Sequence, residues 1–476
     1  MKRFKLFMEN MLVYGLGGVI GKVIPIIMLP IVTRLMPNTY YFGINDIFTI
    51  IVSFGSAIAI MGMYDAMFRL FFDKEDDEYK KVICSTTLFI TIIFSIIIFF
   101  IIYIFKGKLS GFFFGDSAYE MLMVVTGLNI LFGATNTIVS APTRMKNQRK
   151  IFLITNTLTP LISYAVAIPA LMRGYYVFGL PVAALISVIV TEIVFIFLNR
   201  NWFSFKKINI EKIKDLFKVG IPLLPNFLIY WVFNSISRIV IARLLGNEQV
   251  GIYAIGGKIG QLSQLIYIAF AGGWQYFAFS TMKDEDQVKM TSNIFEYLGI
   301  ITFVASAFVA ALSEVLFEML FTGDFVKGSI IAPYLFLAPL LLMLFQVAGN
   351  QFLVIKKTLP NLFILSVGAI LCVVITWFGV ENIGIEGAAL GTLVGYSSAV
   401  AIGVLVLEKK KLLKISFKFK VATVATIAYG ICWRFSIRDN TIWSVSLAFV
   451  LTILFAVLYK NDIMNLIGKR PKAKEE

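Results

Sequence analysis

"TRLMPNTYYFGINDI", residues 33–47, and "ARLLGNEQVGIYAI", residues 242–255, decide the fold. Each runs from a small residue and Arg-Leu, through a polar turn, to a glycine that opens a new apolar stretch. Arg34 matches Arg243 at an offset of 209, and Gly43 matches Gly251 at 208. A third pair, "GLPVAAL" from Gly179 and "GIEGAAL" from Gly384, recurs at 205. Three anchors at nearly constant offset mark an internal repeat. The chain therefore reads as two homologous halves followed by a tail.

Composition says what the halves are made of. Of 476 residues, 59% are hydrophobic and only 15% charged, with a mean hydropathy of +0.85. A soluble domain sits near 45–50% apolar and about 25% charged. Apolar runs of roughly 20 residues recur from end to end, enough helix to cross about 30 Å of hydrocarbon. They are uninterrupted, where barrel strands would alternate. Fourteen spans are expected, at about 10–34, 41–68, 82–105, 119–142, 151–172, 177–198, 218–243, 250–280, 291–320, 330–354, 361–378, 384–407, 421–437 and 441–459.

The expected fold is an all-α integral membrane protein with about 14 transmembrane helices. Two pseudo-symmetric six-helix lobes would occupy residues 1–198 and 218–407, joined by a cytoplasmic linker, 199–217. Two further C-terminal helices fall in 408–460, and a basic cytoplasmic tail in 461–476. Six spans per half is an even number, so the halves enter the membrane in the same sense, as in transporters with parallel repeats. The linker interleaves Phe, Ile and Leu with Lys, the pattern of an amphipathic helix lying on the membrane surface.

The net charge of +15 would point to nucleic acid in a soluble protein. Topology accounts for it instead. With the N-terminus inside, the inner loops and both termini hold 32 Lys and Arg. The outer side holds eight: Arg34, Lys106, Lys108, Arg173, Arg243, Lys327, Arg434 and Arg438. That asymmetry places both termini in the cytoplasm, and no nucleic-acid partner is expected. "MKRFK" at the start is like the n-region of a signal peptide, but the apolar segment behind it is too long and lacks a cleavage site, so it is expected to be retained.

Histidine is absent, which removes the commonest general base and metal ligand. No CxxC, HExxH or Walker spacing occurs, and no metal is expected. The acidic run "DKEDDE", 73–78, sits in a loop too short to carry a nucleotide-binding domain and reads as solvated. An enzyme that polymerises or ligates glycans would need a sizeable outer loop, and every outer loop here is short. Three cations remain unexplained by topology because they fall inside spans: Lys22, Arg238 and Lys258.

A charge at the bilayer centre costs roughly 2.5–3.5 kcal/mol on the mildest scale, so it faces water or a partner. Cations contributed by both halves to one cavity would receive an anion such as a phosphate or diphosphate. Alternatively each pairs with an internal acid and only holds helices together, and Asp46 lies at a suitable depth. Asn226 and Asn234 either line such a cavity, with Asp46, or coordinate an ion, or form helix–helix hydrogen bonds. Pro25 and Pro30 in the first span, and Pro222 and Pro225 in its symmetry mate, are expected to interrupt or bend those helices at a gate.

With "LPIVTRLMPNTYYFG", its echo "ARLLGNEQVGIYAI", the "GLPVAAL"/"GIEGAAL" pair and a 6+6+2 layout, the chain resembles the polysaccharide-biosynthesis flippases of the Wzx type. These belong to the MOP superfamily, with the MATE exporters and the MurJ lipid II flippases. The resemblance spans essentially the whole chain. It implies alternating access in a bacterial cytoplasmic membrane, moving an undecaprenyl-diphosphate-linked oligosaccharide, of O-antigen or capsule type, from inner to outer leaflet. It also implies no enzymatic activity and no cofactor, energy from a Na+ or H+ gradient or the membrane potential, a monomer, and contact with other glycan-assembly membrane proteins. A MurJ-like lipid II flippase shares this architecture. A MATE-like small-molecule exporter usually has twelve spans and an acidic cavity.

Overall fold

The computed structural model describes residues 21, 23–267, 270, 274, 278, 285–355, 357 and 359–468. Among them the secondary structure is helical throughout, with no strand. Eleven helical segments are long and apolar enough to cross a membrane. The protein is a multi-pass membrane protein. Three of the expected spans appear as shorter stretches: α1 (Val23–Leu35), Asn247–Gly260 and Phe417–Cys432. The first two run into positions outside the described residues, and the third continues through a π turn, Trp433–Ile437.

Close packing divides the chain into two units. The first holds residues up to Lys258 together with Phe321–Phe325 and Cys372–Thr392. After α1 come α2 (Thr39–Ile60), α3 (Met63–Phe71), α4 (Asp77–Ile104), α5 (Lys106–Phe114), α6 (Glu120–Met145), α7 (Arg149–Met172) and α8 (Gly179–Asn199). The acidic loop has a local purpose. Asp76 caps α4, accepting the backbone N–H groups of Glu78 at 3.1 Å and Tyr79 at 3.2 Å. Asp77 and Glu78 then sit in the first turn, where the helix dipole favours carboxylates.

The linker is pinned rather than loose. The Ser204 N–H donates to Ser85 Oγ (2.9 Å), and that of Asn209 to Thr86 Oγ1 (3.0 Å). Helical structure resumes at α9 (Glu211–Gly220), whose fully buried Leu216 packs among Met63, Met67 and Ile83. A 3-10 turn containing Pro222 leads on to α10 (Leu224–Leu244), with Pro225 in its first turn. The second pair of expected prolines thus marks the junction of two helices. Pro25 and Pro30 lie within α1, which stays helical through both, and Thr33 Oγ1 donates to the Leu29 and Pro30 carbonyls.

The repeat anchors become a physical contact where α2 meets α11 (Asn247–Gly260). A Cβ on Gly43 would lie 2.8 Å from the Asn247 carbonyl carbon; one on Gly251 would lie 2.8 Å from that of Thr39. Thr39 and Asn247 are themselves 208 apart, like the glycines. Equivalent residues of the two halves therefore cross face to face, at a distance only glycine tolerates.

The second unit holds Ile259–Leu320, Val326–Leu371 and Leu393–Glu476. Its long α12 (Gln287–Leu320) packs on α13 (Ala332–Val354); α14 (Leu359–Ile383) is shared between the units, as is α15 (Ile385–Lys409). The appended helices α16 (Phe417–Cys432) and α17 (Thr441–Leu458), followed by α18 (Lys460–Gly468), also pack against α12 at α16 and α17. Glu296 on α12 accepts from the Ser416 N–H (2.6 Å), Ser416 Oγ (2.7 Å) and Tyr459 Oη (2.8 Å). One buried carboxylate thus anchors both ends of the appended pair. Tyr429 Oη adds a bond to the Ala307 carbonyl at 2.9 Å.

Candidate functional site

Asp46 lies two turns into α2 and is 7% exposed. Its position follows from the glycine crossing, which brings the start of α2 against α11 and the neighbouring end of α10. Arg238, about a turn and a half from the end of α10, places Nε 2.5 Å from Asp46 Oδ2. The same guanidinium donates through Nη1 to the Asn234 carbonyl one turn earlier. It also stands 5.5 Å from the ring centroid of Tyr253 on α11, a side chain that is essentially buried.

Lys258, near the end of α11, is close enough for both charges to act on it, Asp46 attracting and Arg238 repelling. Three of the expected residues, Asp46, Arg238 and Lys258, are therefore brought into one electrostatic group. It contains two basic side chains and one carboxylate, of which Arg238 and Asp46 are in contact. Lys22 lies outside the described residues.

The asparagines stand differently. Asn234 is exposed, and its Nδ2 donates to the Tyr230 carbonyl at 2.7 Å. Asn226 is exposed on the first turns of α10, beyond Pro222 and Pro225. Neither makes a side-chain hydrogen bond to another helix among the described residues, unlike Asn129 on α6, whose Nδ2 donates to the Pro181 carbonyl on α8 at 3.3 Å.

Sequence reasoning missed Tyr253, which supplies an aromatic face to Arg238. The repeat held the signal: at an offset of 208, "GINDI" aligns with "GIYAI", so Tyr253 answers Asn45 and Ala254 answers Asp46. Only the first half carries the acid. Also missed was the network below the pair, where Ser237 Oγ meets Thr392 Oγ1 at 3.1 Å and the Ala388 carbonyl at 3.3 Å. It fastens α10 to α15. The Trp231 ring lies 4.5 Å from that of Phe54, tilted at 43°, and its buried Nε1 has no hydrogen-bond acceptor among the described residues.

Chemically the centre of the group is a buried ion pair, Arg238 with Asp46. A buried carboxylate holding an arginine lowers the cost of burying the latter. Among the described residues no cluster of three or more metal-ligating side chains occurs.

Solved structures share this fold. "Lipid II flippase MurJ, inward closed conformation" aligns with a TM-score of 0.68 at 14% identity, covering 95% of this chain and all (100%) of that one. An inward-facing multidrug resistance MATE family transporter of the MOP superfamily aligns at 0.64 and 14% identity, covering 82% and 97%. A MOP superfamily transporter from Pyrococcus furiosus, described as having a binding pocket of reverse polarity, aligns at 0.59 and 14%, covering 84% and 96%. No curated protein matches. The family model for polysaccharide biosynthesis proteins matches residues 7–283, more than half of the sequence. The chain belongs to the polysaccharide biosynthesis protein family.

Proposed function

We propose that this protein is a flippase, not an enzyme, that moves an undecaprenyl-diphosphate-linked oligosaccharide from the inner to the outer leaflet of a bacterial cytoplasmic membrane. The observation that carries the reading is the buried Asp46–Arg238 pair on α2 and α10, with Lys258 as a second basic residue beside it. A diphosphate, with its delocalised negative charge, is the ligand such a site discriminates for. Family membership supports a glycan as the cargo.

In the mechanism, Arg238 exchanges its carboxylate partner for the diphosphate. Asp46 holds the guanidinium in place while the site is empty, so no unpaired charge is left in a low-dielectric setting. Release of substrate restores the ion pair. Lys258, and Lys22 on the first span, add further attraction, while the exposed Asn226 and Asn234 offer hydrogen bonds to sugar hydroxyls or a coupling ion. Alternating access follows from two six-span lobes, 1–198 and 218–407, gated at Pro25, Pro30, Pro222 and Pro225, with Na+ or H+ as the coupling ion. Both termini are cytoplasmic, and the monomer works beside other glycan-assembly proteins.

Depleting the protein and identifying the lipid-linked precursor that accumulates on the inner leaflet tests this reading. Accumulation of an undecaprenyl-diphosphate oligosaccharide supports it. Accumulation of lipid II favours the second reading, a lipid II flippase, for which the structural likeness to MurJ over 95% of the chain is the specific argument. Loss of efflux of cationic small molecules, with no precursor change, would point to a MATE-like exporter.

A further inference from the structure

We infer that the outward face of α9 is a binding site for one anionic glycerophospholipid, its phosphate held between Lys214 and Lys218 and an acyl chain along the apolar strip beside them. The inference goes beyond the transport reading and does not depend on what the chain carries.

Helix α9 has two apolar faces. Leu216 is fully buried in the core formed with α3 and α4, and Gly220 lies against Met61 and Gly62. The other face carries Ile210 and Ile221, with Pro222 at its end, and together with the flank of Phe217, whose ring meets Phe94 in the core, these form a shallow, open apolar strip. Ile210 is 78% and Ile221 47% exposed, and every lining residue comes from α9 and the turns that flank it.

Lys214 and Lys218 stand beside this strip one helical turn apart, both exposed. Neighbouring lysines already have acids: Lys212 holds Asp215 at 2.8 Å and Lys207 holds Glu78 at 2.6 Å. Lys214 and Lys218 form no ion pair among the described residues. Two unpaired ammonium groups beside an apolar strip match a lipid with a charged phosphate head and a hydrocarbon chain, and a zwitterionic lipid matches them less well. The α9 helix leads through the Pro222 turn into α10, which bears Arg238. A lipid held there ties the base of that helix to the membrane surface.

The test uses the purified full chain, titrated with phosphatidylglycerol or phosphatidylcholine and read by native mass spectrometry. One phosphatidylglycerol is expected to bind in preference to phosphatidylcholine, and more weakly as salt rises. Replacing both lysines, Lys214→Ala with Lys218→Ala, should weaken that binding about 30-fold, at about 1 kcal/mol per surface lysine. Lys212→Ala, which removes a lysine already paired, should change it less than threefold. Equal phosphatidylglycerol affinity of the double variant and the wild type overturns the inference. So does saturation of the same site by undecaprenyl diphosphate in the presence of a hundredfold excess of phosphatidylglycerol, which would make it a substrate site. Neither result bears on which precursor accumulates on depletion, so the transport reading stands or falls separately.

Discussion

Removing Asp46 separates the two proposed roles of Arg238, a charge that must be balanced and a hand for the substrate. With Asp46 7% and the Arg238 side chain 11% exposed, solvent screens the pair little. Taking the charge centres as about 4 Å apart and an effective dielectric of about 20, Coulomb's law gives about 4 kcal/mol. That agrees with the roughly 3–5 kcal/mol lost when one partner of a buried pair is removed. Asp46→Ala should therefore lower the apparent melting temperature of the purified 476-residue protein by roughly 4 °C, the more so because Lys258 then repels an unpaired arginine. Arg238→Ala should cost a similar amount. The double variant, which leaves neither an unpaired arginine nor its repulsion of Lys258, should recover part of that stability and yet fail to translocate a lipid-linked oligosaccharide in proteoliposomes. Melting curves of the four proteins close the cycle. A loss below about 0.5 kcal/mol for each single variant, or a double variant as unstable as the two losses added, would refute the ion-pair reasoning.

Other outcomes follow from single contacts. Gly43→Ala or Gly251→Ala should destabilise by about 1–3 kcal/mol or more, because a Cβ at either position meets a backbone carbonyl, whereas Gly111→Ala, with nothing within 4 Å, should be neutral or stabilising in the same melts. Glu296→Ala should cost about 2–4 kcal/mol by leaving the Ser416 N–H and Tyr459 Oη without their acceptor, and should quicken proteolysis around residues 410–416 while Glu314→Ala does not. Tyr253→Leu keeps the bulk but removes the aromatic face beside Arg238, and should cost about 0.5–2 kcal/mol without abolishing expression.

The repeat was legible because a backbone crossing leaves a residue-level mark: only glycine fits at 43 and 251, and the two mirror each other. The membrane class was legible because lipid demands apolar runs of a fixed length. The partner of Arg238 was not. Sequence placed Asp46 at a suitable depth, but pairing helices 192 residues apart depends on how α2, α10 and α11 turn about their axes, and apolar stretches carry little record of rotation. Glu296 illustrates the same limit. It is a charge inside an expected span, 291–320, yet its acceptor role comes from Ser416, 120 residues on, in helices outside the repeat. Asp76 shows the reverse: an acidic run that reads as solvated loop contains a helix cap, which the local spacing to the first turn of α4 would have revealed.

Translocation of an undecaprenyl-diphosphate-linked oligosaccharide by the reconstituted protein, wild type against Arg238→Gln, tests the central claim most directly. The account predicts flipping by the wild type and a loss of at least tenfold in the variant, with protein in the membrane undiminished. Wild-type rates in Arg238→Gln would contradict it.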